Sequence, residues 1–430
     1  MSAPAATRAA LLPRVLPDTG QPQDIRAHLA RHGRIPYRGA SGALIADAEA
    51  SGLAGRGGAG FPVHRKFAAV RDSAARSRLA PVVVANGAEG EPASSKDATL
   101  MWLSPHLVFD GIQLAAEATG AATAVLYTPS GPASALGDHL SRALAERRED
   151  RVPVTLASAP PRFLAGQETA LVSHLSGGPA IPQFVPPRPS ERGVGGAPTL
   201  VQNVETLAHL ALIARYGPQW FREIGLPNGS GSLLITLRLE QDRPRVFEVP
   251  FGIPLTELLG DAHGISAVLI GGYHGAWLPM ETALRLRFDN ESLGTAGVSV
   301  GAGIIVALPR DRCGLIETAR AVRYLALESA GQCGPCLNGL PRMSAAFTTL
   351  ARGRGGDLEA ARRDLERWAG LVTGRGACHH PDGTSRFVRS ALHTFAGEVE
   401  RHRRGECGAE TTQPFLPIPA RTAQREEDWL

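Results

Sequence analysis

The chain has 430 residues, 43% hydrophobic and 20% charged, enough for two or three domains with ordinary cores and too apolar for wholesale disorder. Its 45 basic and 41 acidic residues leave a net charge of +4 with no block able to track a nucleic-acid backbone, which argues against nucleic acid as a partner. Five cysteines are too few, and odd in number, for a secreted disulfide scaffold, so the reducing cytoplasm is the expected setting.

In chain order, residues 1–29 open with an Ala-, Arg- and Pro-rich stretch and are expected to form a disordered extension. No apolar run reaches the ~18–20 residues of a membrane span. Clusters of Gly and Pro at 52–62, 87–92, 177–198 and 217–231 punctuate the elements. Residues 81–86 (PVVVAN), 122–127 (ATAVLY) and 152–157 are short apolar runs that read as buried parallel strands. Segments 106–119 and 132–148 carry helical spacing, and 199–216 is expected to be a further helix beginning at Thr199. Residues 30–224 therefore read as an α/β domain. After a Gly-rich linker, 232–240 and 245–250 alternate as a hairpin, 254–259 reads as a short helix, and 267–272 and 298–308 as strands, making 225–310 a small α+β unit. Segments 312–329, 335–352, 357–373 and 384–404 show i, i+3/i+4 apolar spacing and predict a four-helix bundle over 311–406. The Pro-rich tail, 407–430, has too little apolar content to pack by itself.

Among the basic residues only Lys66 and Lys96 are lysine. A bias this strong towards arginine leaves lysine where a compact, flexible ammonium is needed. Both fall near two chemically suggestive loops. The first, GRGGAGFP at 55–62, has four glycines in six residues, which lets a backbone approach a phosphate or a flat ring, or simply makes a tight turn. The second, NGAEGEP at 86–92, follows the strand 81–86, and strand carboxyl ends of open α/β sheets are where ligands sit. Its carboxylates suit ribose hydroxyls or a redox ring, or form a solvated acidic turn. In GQETA at 166–170, Glu168 opens a helix as a cap or a ligand contact. PTLVQNVET at 198–206 places polar groups beside an apolar face. Finally, QCGPC at 332–336 puts two thiols on one turn, with Cys378 before the last helix, a pattern that suits zinc or an iron–sulfur cluster. Cys313 lies ~25 Å from that motif along a straight helix, and is expected to be a core residue and not a ligand.

In this order the five motifs resemble the NADH-binding flavoprotein subunit of respiratory complex I and its relatives in NAD-linked hydrogenases and formate dehydrogenases. The family pattern is GRGGAGFP with a following lysine, NADEGEP, GEETAL, TVNNVET and ESCGQCTPC with a distant cysteine. The resemblance implies an FMN-binding α/β domain, a β-grasp domain of the SLBB type and a helical bundle holding a [4Fe-4S] cluster. It implies that Gly55, Gly57, Lys66, Asn86, Gly166 and Asn203 bind FMN, Lys66 on the phosphate side, with Arg56, Glu89 and Gln202 in the same loops completing the cofactor set. Gly58, Phe61, Glu91 and Glu168 match positions that meet NADH, Glu91 and Glu168 being the expected catalytic residues, and Cys333, Cys336 and Cys378 match cluster ligands. The implied activity passes electrons from NADH through flavin and cluster to a ferredoxin-like or other iron–sulfur partner, in a cytoplasmic protein peripheral to a larger redox complex.

The departures from the pattern also carry expectations. Ala330 stands where the first cluster cysteine belongs, so the fourth ligand is expected to be solvent, absent, or one of Glu328, His379, His380 and Cys407. Ala88 and Gln167 replace acidic residues, and FVPPRP at 184–189 replaces LKPPFP in the adenine segment. The alternative readings are a flavoprotein fed by a carrier other than NADH, and a non-enzymatic paralogue with structural zinc on Cys333, Cys336, Cys378 and His379.

Overall fold

The computed structural model describes residues 14–39, 42–129, 134–240, 244–353, 355–411, 413–420 and 429. The first unit starts with α1 (Ile25–His32), α2 (Ala43–Ser51), α3 (Val63–Ser77), β1 (Val82–Asn86), α4 (Lys96–Leu103) and α5 (Pro105–Thr119). It continues through β2 (Thr123–Thr128), α6 (Ala135–Ala145), β3 (Val154–Ser158), α7 (Glu168–Leu175), β4 (Thr199–Asn203) and α8 (Val204–Arg222). The strands form one parallel sheet, in the order β3-β2-β1-β4. Successive side chains of a strand point to opposite faces. Val83, Ala85 and Leu126 accordingly join the core under α5 and α8, while Val84, Tyr127 and Val201 line the other face. At Gly111 an added Cβ would lie 2.2 Å from the Leu207 carbonyl oxygen, so only glycine lets α5 and α8 pack this closely.

Two expectations fail in this unit. Residues 199–203 are strand, not helix, because Thr199, Leu200 and Val201 pair along β1 in register, Val82 to Thr199 through Asn86 to Asn203. A short apolar run fits either element from sequence, and it is the parallel partner that decides. The helix begins only at Val204, where the Asn203 side chain accepts the Glu205 N–H at 3.0 Å as its cap. Residues 14–29 are likewise packed rather than an extension. Val15 is fully buried, and the N–H groups of Arg14, Val15 and Leu16 all donate to Oε2 of Glu248. His28 on α1 meets buried Asp110 at 2.8 Å, a carboxylate also held by Arg147 at 2.7 Å and by Arg215. Polar anchoring of this kind leaves no hydrophobic period to read. Residues 1–13 lie outside the described residues.

The second unit comprises the small pair β5 (Gly225–Leu226) and β6 (Gly229–Ser230), then β7 (Ser232–Arg238), β8 (Arg245–Pro250), α9 (Leu255–Leu259), β9 (Ile265–Ile270), β10 (Ala276–Pro279), α10 (Met280–Ala283), α11 (Asn290–Gly294) and β11 (Ile304–Pro309). Its five-stranded sheet runs β10-β9-β11-β7-β8, parallel only between β11 and β7. Residues 298–303 turn instead of extending the last strand, since Gly301 and Gly303 take φ of 59° and 74°. One face (Ile235, Val268, Ile270, Ile305) packs on α9 and the loops, and the other (Leu269, Ile304, Val306) on the C-terminal helices.

Those helices are α12 (Gly314–Leu327), α13 (Leu340–Arg352), α14 (Asp357–Val372), α15 (His380–Thr394) and α16 (Ala396–Arg403), with a π-helical turn at Pro335–Gly339 leading into α13. The expected helix 384–404 is two, broken at Phe395, whose ring packs 5.2 Å from Trp277. The tail folds back: Phe415 and Leu416 are buried, and the Tyr273 hydroxyl donates to the Pro417 carbonyl at 2.5 Å. Among the described residues no helix is long and apolar enough to cross a membrane.

Candidate functional site

Parallel pairing sets Asn86 and Asn203 side by side at the carboxyl ends of β1 and β4. The Asn86 amide donates to the Gly166 carbonyl at 2.8 Å, which ties the loop before α7 to the strand end. An added Cβ on Gly166 would come 2.9 Å from the Ala88 carbonyl oxygen, so these two loops touch through backbone. The Gly-rich loop closes on itself through Gly55 N–H to Phe61 O at 2.9 Å and feeds α3. Gly57 lies against Asn203, where a Cβ would approach the asparagine Cβ to 3.3 Å, whereas a Cβ on Gly60 would meet open space. Phe61 is 45% exposed. From the first turn of α3, Lys66 reaches the Val201 carbonyl and the Glu168 carboxylate, each at 2.9 Å. Thus Gly57, Lys66, Asn86, Gly166, Glu168 and Asn203 come together.

A buried charge network fixes this floor. The Lys96 ammonium lies between Asp97 at 2.7 Å and Glu205 at 2.8 Å, and Asp97 accepts the Asn203 amide at 2.7 Å. Glu205 also takes the Leu234 N–H at 2.7 Å, so the second sheet is tied to the same network. Burial alone would raise the Glu205 carboxyl, but Lys96, His209 and Arg56 outweigh it and hold it down at about 2. Sequence reasoning singles out Lys96 and misses its partners; the glutamate of the 198–206 segment is the available signal.

Several expected site residues have other partners. The Arg56 guanidinium is buried against the Phe251 ring and donates to the Ser230 and Ser232 carbonyls, and its backbone N–H donates to the Thr206 hydroxyl at 2.9 Å. Glu89 caps α4, accepting the N–H groups of Asp97 and Ala98 and the Ser94 hydroxyl. Glu91 turns to the second unit, where it accepts the Tyr273 N–H at 2.8 Å, and burial pushes its carboxyl up to about 7 despite that bond. Gln202 is buried within β4. Gln167 caps α7 through the Thr169 and Ala170 N–H groups, so a neutral amide serves where the family pattern has a carboxylate.

Cys333, Cys336 and Cys378 neighbour one another in the C-terminal helical unit. Cys336 rides the π-helical turn, Cys333 precedes it, and the Leu337 N–H bonds the Cys333 carbonyl at 2.9 Å. Burial, then the neighbouring Cys333 and Cys378, pushes the Cys336 thiol up to about 12. Cys378 sits in a turn where a Cβ on Gly376 would fall 2.6 Å from its carbonyl oxygen. Two thiols on one turn and a third from a separate bend suit three corners of a cubane cluster. The expected fourth ligands are engaged elsewhere. Glu328 accepts the Phe163 N–H at 2.9 Å and pairs with Arg162, and both His380 ring nitrogens are bonded, to His274 and to the Leu325 carbonyl. His379 points out at 99% exposure, and Cys407 lies beside Cys313. Glu328 and Gln332, which donates to the Pro182 carbonyl at 3.1 Å, tie the cysteine loop to the first unit.

The donor set at the strand ends, one ammonium with two amides and a glycine backbone, fits a group carrying a phosphate and a flat polar ring. Comparison with known proteins agrees. Residues 48–212 match the Nuo51 FMN-binding domain, and residues 317–402 match the NADH-ubiquinone oxidoreductase-F iron-sulfur binding region. An F subunit of NADH-quinone oxidoreductase from Rhizobium meliloti is 32% identical over 82% of this chain and 86% of its own length. The corresponding F subunit from Salmonella typhimurium is 31% identical over 90% and 91%. Among solved structures, the NAD+-reducing [NiFe]-hydrogenase in the H2-reduced state superposes with a TM-score of 0.73 at 29% identity, over 84% of this chain but 62% of that one. The chain belongs to the family of NADH-quinone oxidoreductase F subunits.

Proposed function

We propose that the chain is an NADH:acceptor oxidoreductase that takes electrons from NADH and passes them to a partner iron–sulfur protein of the ferredoxin type, as a peripheral subunit of a larger redox complex. Bound FMN supplies the change from two-electron to one-electron chemistry, and a cluster supplies the one-electron outlet. The observation that carries this reading is the pairing of Asn86 with Asn203 at adjacent strand ends, roofed by Gly57 and flanked by Lys66. Lys66 would neutralise the phosphate, while Asn86, Gly166 and Asn203 orient the ring. Phe61 and Glu168 would meet the dinucleotide, the aromatic ring by stacking and the carboxylate through ribose hydroxyls, whereas the Glu91 carboxylate is taken up by the Tyr273 and Ala93 N–H groups. A carboxylate at the ribose disfavours a 2′-phosphate, so NADH is preferred to NADPH.

We take the division of labour to be a flavin domain over 30–224, an SLBB-type β-grasp unit over 225–310 and a helical iron–sulfur domain over 311–406; the mixed sheet with its one parallel β11–β7 pair supports the middle assignment. Cys333, Cys336 and Cys378 would hold the cluster with three thiolates, a [4Fe-4S] form with a solvent ligand or a [3Fe-4S] form, because Ala330 offers none. Anaerobic reconstitution with FMN, iron and sulfide tests the proposal. The expected product is yellow-brown and retains flavin through gel filtration, and its flavin band bleaches with NADH. A colourless product, or a flavin band that stoichiometric NADH leaves intact, would overturn it.

A further inference from the structure

A second set of metal-type donors lies outside the proposed electron route. Cys313 immediately precedes α12, Glu398 and His402 stand one turn apart on one face of α16, and Cys407 follows α16. The donor atoms of Cys313, His402 and Cys407 all lie within 4.8 Å of one another. Cys313 Sγ is 3.5 Å from His402 Nε2 and 3.1 Å from Glu398 Oε2. The edges of a tetrahedron built with zinc–sulfur and zinc–nitrogen bonds are ~3.5–3.8 Å, so small adjustments would centre one ion. Cys407 is brought there by a turn in which Gly405, at φ 81°, donates to the His402 carbonyl at 2.8 Å and Glu406 donates to the Arg401 carbonyl at 2.9 Å. Glu398 Oε2 also accepts the Leu315 N–H at 3.3 Å, which fixes the carboxylate's direction. Cys313 and His402 are buried while Cys407 is exposed, leaving one open edge through which an ion enters.

We propose that Cys313, His402, Cys407 and Glu398 form a structural zinc site. Two thiolates and an imidazole select zinc over magnesium or calcium, and the Glu398 carboxylate, 3.1 Å from Cys313 Sγ but outside the mutual 4.8 Å group, would complete the tetrahedron by a side-chain shift. Binding converts two thiols to thiolates and releases their two protons to solvent, with no change of oxidation state. The ion would fasten the start of α12 and the end of α16 to the chain that continues into the tail, where Leu416 N–H is bonded to Glu317 at 2.8 Å. This site is independent of the proposed cluster and of the flavin.

Metal analysis of the holoprotein tests it. About one zinc per chain is expected beside the cluster iron. Cys407→Ser, at an exposed position, should lose most of that zinc while iron and flavin per chain stay unchanged, and Cys378→Ser should lose iron but keep zinc. On the wild-type chain, zinc K-edge absorption should show two sulfurs at ~2.3 Å with two lighter ligands. A chain that stays zinc-free after incubation with zinc sulfate overturns the proposal. So does zinc that departs with Cys378→Ser rather than Cys407→Ser, or a non-reduced peptide map that links Cys313 to Cys407 as a disulfide.

Discussion

Asn86 and Asn203 at the flavin end rest on parallel strand ends and a buried ammonium, whereas the cluster end rests on three cysteines carried by a loop, a π-helical turn and a glycine-dependent bend. Each member of the charge network satisfies another, so none of Lys96, Asp97 and Glu205 can be vacated cheaply, although the first region tolerates Ala88 and Gln167 outside that network. The second would be held by bonds to the proposed cluster, which three thiolates could still retain. An alanine at position 330 is tolerable in the second region, while loss within the network of the first would leave an uncompensated buried charge. The contrast also explains the two lysines. Lys66 faces the proposed ligand, whereas Lys96 is a structural hub whose compact head fits between two carboxylates, a place an arginine fork would overfill.

The largest effect is expected from breaking that hub. Lys96→Met leaves Asp97 and Glu205 buried without their cation and should cost about 3–5 kcal/mol in denaturant unfolding. A cost near zero would mean that the flavin end is no better determined than the cluster end. Acid should reveal the same network. The Glu205 carboxyl is held at about 2, below its ordinary 4.5, so the stabilisation is complete above pH 4.5 and is lost as pH falls towards 2, a few kcal/mol in all. Thermal unfolding against pH should show a smaller acid loss in Glu205→Gln than in the wild type, the remainder coming from groups such as Asp110, which, despite its burial, His28, Arg147 and Arg215 also hold down. Restoring the missing thiol sharpens the other side. Ala330→Cys should remove any three-iron EPR signal and leave iron retention in air higher than in the wild type, with flavin content unchanged. The smallest effect is expected at Phe61, where loss of stacking in Phe61→Ala should raise KM for NADH by about 2- to 10-fold with kcat nearly unchanged.

Much of this site is legible in the sequence because its motifs are local. The glycines at 55–60, the strand into Asn86 and the two cysteines of 333–336 each announce themselves within a few residues. What stays hidden depends on partners distant in the chain. Thr199 to Asn203 reads as helix until β1 pairs with it, and only that pairing brings Asn203 to Asn86. Glu89 looks like a ligand group until α4 supplies two N–H donors, and Arg56 until carbonyls of the second unit take its guanidinium. Cys407 reads as a distant cluster candidate and Cys313 as core, because nothing local says that α16 ends in a turn returning one to the other.

The most direct measurement is an anaerobic NADH titration of the reconstituted chain, followed by absorption and EPR on the same samples, beside Ala330→Cys. The expected result is flavin reduction complete near one NADH per chain in both proteins, with an all-cysteine [4Fe-4S] signal only in the variant. Flavin that remains oxidised at stoichiometric NADH would contradict the proposed activity, and an all-cysteine signal in the wild type would contradict the incomplete cluster end.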